Sequence, residues 1–181
     1  MNRVRLLVFG LWAVAYSART EAACGMVFGA DWAIAFSAPA RWDSLCNTEK
    51  TAGAGGAALT LWPQGTTVGD APAVMYVTVN EKNRRSLAVF AADEQQRFRS
   101  DKPNVVVRFE PAMSAGGSAP KVVFRATDAR NQQLIAYVEG PTRFFVVVMS
   151  ARSAQALEEH QSALPSLLNS FVAMKVSAER R

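Results

Sequence analysis

The spacing of hydrophobic residues changes period several times along the chain. Residues 73–82, AVMYVTVNEK, alternate apolar and polar positions and are rich in β-branched residues, which predicts a half-buried strand. Residues 144–149, Phe–Phe–Val–Val–Val–Met, are apolar at every position. That pattern predicts a strand over 143–150 at the centre of a sheet, covered on both faces. Between the two the period becomes helical. Leu87, Phe90, Ala91 and Phe98 fall on one stripe broken only by Glu94, and Ser86 is a good N-cap, so a helix is predicted over 86–99.

The rest of the chain is punctuated by turn residues. Residues 25–39 predict two short strands around a turn near Asp31–Trp32, and ARWDSLCNTEK after them has no regular period. A strand over 58–62 ends at Pro63, which has no N–H for a ladder. Residues 104–113 and 121–128 read as strands joined across SAGGSAP, and NQQLIAYVEG as a strand turning at Glu139–Gly140–Pro141. In the last segment Leu157, Leu164, Leu168, Phe171, Val172 and Val176 share one helical face, which predicts a long terminal helix kinked or restarted at Pro165. Strands, a helix, hairpins and a long helix in that order imply an α+β layered domain with a mostly antiparallel sheet and helices on both faces. There is no repeat, second domain or long linker.

The N-terminus changes where this domain is expected to work. MNRVR is basic, Leu6 to Ala18 is continuously apolar or small, and RTEAAC follows. This is the plan of a secretory signal peptide over 1–22, cut after Ala22. The run is shorter than the roughly 20 residues of a comfortable membrane span. The globular domain then covers 23–176, with a polar tail at 177–181. Export to an oxidising space makes Cys24 and Cys46 a disulfide. On the chain-entropy model such a loop stabilises by about 3 kcal/mol. Lipidation of Cys24 is disfavoured by Glu21 and Arg19 beside it, and two cysteines with one distant histidine are too few for a metal site.

Composition adds exclusions. The chain has 181 residues, half of them hydrophobic and 19% charged, enough to bury one core. Losing residues 1–22 takes three positive charges and one negative from a net +5, leaving +3. That mild excess does not mark a nucleic-acid binder. Arg84–Arg85 and Arg180–Arg181 sit in a turn and at the C-terminus, where charge is ordinarily solvated.

Two stretches carry a family likeness. FSAPARW at 36–42 resembles the strand–Pro–x–x–Trp opening of the PsbP/DcrB-like superfamily, with Arg41 where that family has glycine. FFVVVMSARSA followed by LLNSF at 167–171 is similar to that family's last strand, junction and helix ending in Ser–Phe. The resemblance spans roughly residues 26–174. It implies a single-domain α/β/α sandwich among adaptors and accessory subunits, and it brings no shared catalytic residues. On their own chemistry, Pro39 ends a strand, Trp42 caps the core and Phe171 docks the end of the terminal helix.

Chemistry is sparse. His160 lies at the margin of the terminal helix face, and no Gly–x–Ser–x–Gly motif accompanies it. Asp31, Asp43, Asp70, Glu110 and Glu139 are dispersed, with no spacing that marks an acid/base pair. AGAGGAA at 52–58 precedes a strand and lacks a phosphate-cradle spacing. No catalytic, metal or cofactor residue is assigned. The expectation is a periplasmic, non-enzymatic binding or accessory protein with a protein partner, no nucleic acid and no stable membrane insertion after cleavage. It would act through loops 52–57, 63–72 and 113–120. One concrete form is an immunity protein against a periplasmic toxin. The alternatives are a small-ligand carrier, with a closed apolar cavity under the 86–99 helix, and an enzyme gathering acidic side chains around His160 in a cleft. Trp32, Trp42 and Trp62 are expected in the core.

Overall fold

A computed structural model of the chain describes residues 25–46, 56–114, 121–129 and 132–177. The apolar run becomes β9 (Arg143–Ala151), the middle strand of a seven-stranded antiparallel sheet. Its companions are β3 (Trp42–Cys46), β4 (Leu59–Pro63), β5 (Ala73–Glu81), β6 (Val106–Phe109), β7 (Lys121–Thr127) and β8 (Gln132–Glu139), in the order β3-β4-β5-β9-β8-β7-β6. β5 pairs with β9 over its full length, from Ala73↔Ala151 to Glu81↔Arg143. A second sheet of three short strands runs β1-β2-β10, from β1 (Met26–Phe28), β2 (Trp32–Ala35) and β10 (Val172–Lys175).

The pleat sends successive side chains of β9 to opposite faces. Phe145, Val147, Met149 and Ala151 meet Leu59, Leu61, Met75, Val77 and Leu134 on one face. That face is closed by α3 (Ala154–His160), α4 (Ala163–Ser170) and the inner side of the small sheet, through Leu157, Leu164, Leu167, Trp32 and Ile34. Phe144, Val146 and Val148 point the other way and join Leu87, Phe90 and Ala91 of α1 (Leu87–Asp101). Ser86 caps α1, its Oγ accepting from the Val89 N–H at 3.3 Å. Helices therefore lie on both faces, and the α+β sandwich is the one the patterning implies.

Four boundaries differ from expectation. The segment with no visible period contains β3, which pairs with β4 from Trp42↔Pro63 to Cys46↔Leu59. Pro63 thus lies inside the ladder's last pair. The strand predicted over 104–113 stops at Phe109, and Pro111 opens the one-turn helix α2 (Pro111–Ser114), a position proline favours because its missing N–H bonds nothing there. The long terminal helix is two helices broken at Gln161–Ser162. Pro165 sits in the first turn of the second, where an N–H would have no partner inside the helix. Val172 to Lys175 then forms β10 and not helix. Gly140 permits its approach: a Cβ there would lie 2.6 Å from the Phe145 ring and 2.9 Å from Ala173 Cβ.

Candidate binding surface

Several charged side chains of the sheet are paired with opposite charges. At the end where β5 and β9 meet the β8–β9 turn, Arg143 donates to Asp31 Oδ1 from Nε and Nη2 at 3.1 and 2.9 Å. Its Nη1 lies 3.2 Å from Glu81 Oε1. The hydrogen bond to Asp31 raises the Arg143 pKa against the opposing effect of burial. Lys82 Nζ lies 2.5 Å from Glu139 Oε1 and also donates to the Gly140 carbonyl. Near β6, Arg125 spans Glu110 at 2.7 Å and Gln161 at 2.8 Å, joining the β6–β7 edge to the break between α3 and α4. Asp70 accepts from the Thr67 hydroxyl at 2.8 Å. Of the carboxylates singled out in the sequence, Asp31 and Glu139 are engaged at the same end of the sheet, Glu110 near β6 and Asp70 in the 63–72 loop, and Asp43 stands on β3 opposite Trp62.

His160 ends α3 half-buried, its ring edge-on to Trp42 with centroids 5.8 Å apart and planes at 90°. Glu158 and Glu159 beside it point to solvent. Among the described residues there is no cluster of three His, Cys, Asp or Glu that could hold a metal. Beneath α1, Phe90 stacks on Phe144 at 4.6 Å and meets Tyr137 edge-on at 5.9 Å. Burial pushes the Tyr137 hydroxyl well above its ordinary range, with the Glu94 charge adding to it. The depression lined by Ala92, Gln95, Gln96, Arg99 and Ser100 lies on the outer, polar side of that helix.

The two stretches that carry the family likeness meet in space. Ser170 Oγ accepts from the Ser37 N–H at 3.0 Å, so the end of LLNSF is bonded to FSAPARW. Phe171 is buried and packs edge-on against Phe145, centroids 5.5 Å apart. Pro39 is buried and its carbonyl accepts from the Trp42 N–H at 3.1 Å, closing a tight turn. Arg41 occupies that turn's third position with φ +66°, where a type II turn takes glycine. Trp42 is buried against the core. Cys46 is disulfide-bonded. Cys24, the other cysteine of the sequence, lies outside the described residues, as do residues 1–22 and most of loops 52–57 and 113–120.

What the spacing did not single out is a half-open sheet face. α1 packs over β7 and β8 and reaches Phe144 of β9. On the same side, β3, β4 and β5 present Asp43, Leu45, Thr60, Trp62, Tyr76 and Thr78, with Leu45 49% exposed and the others half-buried. Trp62 is thus the one of the three expected core tryptophans that stays half-exposed. The 63–72 loop adjoins it and exposes Val68. The strict alternation of residues 73–82 was the available signal, because it says that one face lacks full cover.

No protein-family model and no curated protein matches the chain. Among solved structures it is similar to the solution structure of cyanobacterial PsbP (CyanoP) from Synechocystis sp. PCC 6803. The identity is 10%, the match covers 83% of this chain and 93% of that one, and the TM-score is 0.47. The likeness is to a PsbP-like fold alone, and no residue's role follows from it.

Proposed function

We propose that the protein is exported to the periplasm and acts there as a non-enzymatic binding or accessory protein, through contact with another protein. The observation that carries this reading is the half-open sheet face. Leu45, Trp62 and Tyr76 stand on neighbouring strands, with Asp43 opposite Trp62 and the exposed 63–72 loop beside them, a mixture of apolar, aromatic and polar groups suited to a protein interface. The engagement of Asp31, Glu110 and Glu139 with cations and of His160 with Trp42 supports a role without acid/base chemistry. An immunity protein that occludes a periplasmic toxin is one form this role takes.

The test is affinity capture from periplasmic extract with the mature chain and with Leu45→Asp and Trp62→Ala variants. A protein that co-purifies with the wild type and is lost from both variants is the expected result. Recovery of nothing above background, or equal recovery by all three, overturns the reading. Cell fractionation checks export separately: protein retained in the cytosol with an intact leader removes the premise.

A further inference from the structure

The half-open face carries polar groups that the fold leaves without partners. Asp43 of β3 stands directly opposite Trp62 of β4, and Leu45 opposite Thr60, which in turn faces Tyr76 of β5. Side chains opposite one another on antiparallel strands have Cβ atoms about 5 Å apart, and diagonal neighbours such as Trp62 and Tyr76 lie about 7–8 Å apart, still within reach of aromatic rings. Asp43, Trp62 and Tyr76 are each half-buried. Among the described residues, the Asp43 carboxylate has no ion-pair or hydrogen-bond partner, and neither the Trp62 indole N–H nor the Tyr76 hydroxyl is hydrogen-bonded. The other carboxylates on described strands are matched, Glu81 by Arg143 and Glu139 by Lys82. Arg41, two residues before Asp43, is exposed in its turn and forms no ion pair with it. A carboxylate partly removed from water beside aromatic rings ordinarily has a cation of its own. Here it does not.

We infer that this face receives an arginine side chain of the protein partner, stacked on Trp62 and bonded to the Asp43 carboxylate. The inference rests on the reading of the half-open face as a protein-binding surface and names the group that surface recognises. A guanidinium matches the groups present. Its planar face stacks on an indole while its edge still presents N–H donors, which a carboxylate accepts. The Tyr76 hydroxyl oxygen is a further acceptor on the same face, and Leu45 offers apolar cover to the aliphatic stem of an incoming arginine. Partial shielding from water strengthens the charge-assisted bond to Asp43. An acidic segment seated here would repel Asp43, and a purely apolar one would bury it unpaired, a cost that a cation removes. β3 is the edge strand of the sheet, so a side chain reaches Asp43 and Trp62 without displacing α1 from Phe144.

The experiment is NMR titration of the mature, oxidised chain with a capped Leu–Arg–Leu peptide and with its citrulline counterpart, which has nearly the same shape and no charge. We expect the arginine peptide to bind with a dissociation constant on the order of 10 mM, as a single charged contact allows, and to shift the Trp62 indole N–H and the backbone signals of Asp43 and Leu45. The citrulline peptide should bind about tenfold more weakly. Asp43→Asn and Trp62→Ala should each weaken the arginine peptide about tenfold. Asp70→Asn, which removes an exposed carboxylate of the neighbouring loop, should leave its binding unchanged. Melting curves establish that the variants fold. Equal binding of the two peptides, wild-type affinity in Asp43→Asn, shifts centred away from this face, or no saturable shift overturns the inference. So does a dimer that Asp43→Asn dissociates, which would make a second copy the occupant. A partner captured by the wild type and lost from Leu45→Asp, with no response to the arginine peptide, would overturn this inference and leave the proposed function standing. Failure of capture with peptide binding intact would count against the proposed function alone.

Discussion

β5 and β9 lie side by side over nine residue pairs, yet they are buried differently. β9 is buried on both faces from Phe144 to Met149. β5 alternates, with Ala73, Met75 and Val77 buried and Val74, Tyr76 and Thr78 half-exposed. The difference comes from what lies above one face of the sheet, since the other face is closed along both strands. α1 covers this face as far as Phe144 of β9, and Tyr76 of β5 packs only partly buried at the margin of that cluster, so burial falls off within one strand spacing. The lesson is that the sheet has a finished half and an unfinished half, and the sequence marks each by its period.

The most forceful way to break this comparison is to truncate matched side chains. Phe145→Ala and Phe144→Ala should each cost about 3–5 kcal/mol in urea unfolding, because the two rings fill opposite, fully covered faces. On β5, Met75→Ala should cost about 2–5 kcal/mol and Tyr76→Ala clearly less, roughly 1 kcal/mol. Equal losses at positions 75 and 76 would mean that the half-open face is covered after all.

The disulfide comes next. Cys46 ends β3, the edge strand of the unfinished half, where Leu45 is exposed and only one neighbouring strand pairs. A covalent tie there substitutes for burial. Cys46→Ser should lower stability by about 3 kcal/mol, and reducing agent should lower the wild-type midpoint to that of the variant. A reduced wild type as stable as the oxidised protein would remove the tie from the account.

Tyrosine titration sharpens the same contrast. A chain without residues 1–22 retains only Tyr76, on the unfinished half, and Tyr137, on β8 under α1. Burial raises both hydroxyl pKa values, and Tyr137 receives a further push from Glu94. A folded-state pKa raised above the unfolded value gives stability that is complete below about pH 10 and is lost as pH climbs beyond it. Ultraviolet titration should show Tyr76 ionising first, with Tyr137 held back until the fold opens. Tyr137→Phe should flatten the alkaline loss more than Tyr76→Phe. The reverse order would put the better-covered face over β5.

The parts of the fold legible in the sequence are those whose pattern comes from a large buried layer. The alternation of 73–82, the unbroken run at 144–149 and the Leu87–Phe90–Ala91 stripe each reflect one face packed on many neighbours. The strands missed are short edges. β3 buries only Trp42 fully and offers Asp43, Ser44 and Leu45 to partial solvent, so no period appears. β10 was hidden because Val172 follows Leu168 by four residues, a helical spacing that arises where a helix ends and a strand begins. The half-open face is legible only on β5, through the alternation of 73–82, because Leu45, Trp62 and Tyr76 come from three strands and share no local spacing. Their adjacency exists only through the register of β3, β4 and β5.

The smallest expected effect has the opposite sign and lies at the start of the unfinished half. Arg41 sits at φ +66° between Pro39 and Trp42, a left-handed conformation that costs a residue with a Cβ roughly 1–2 kcal/mol. Its carbonyl accepts from the Gln64 N–H at 2.8 Å, so the β3–β4 pairing holds the turn in place. Glycine removes the strain but gives the unfolded chain more freedom, which offsets about 0.5–1 kcal/mol. Arg41→Gly should therefore stabilise by up to about 1 kcal/mol, whereas Arg41→Ala, which keeps the Cβ, should change little. Urea midpoints of the two variants decide the cause. Equal stabilisation by both would assign the gain to removal of the guanidinium, and destabilisation by glycine would mean that the arginine side chain holds the β3 edge in a way that outweighs its backbone strain.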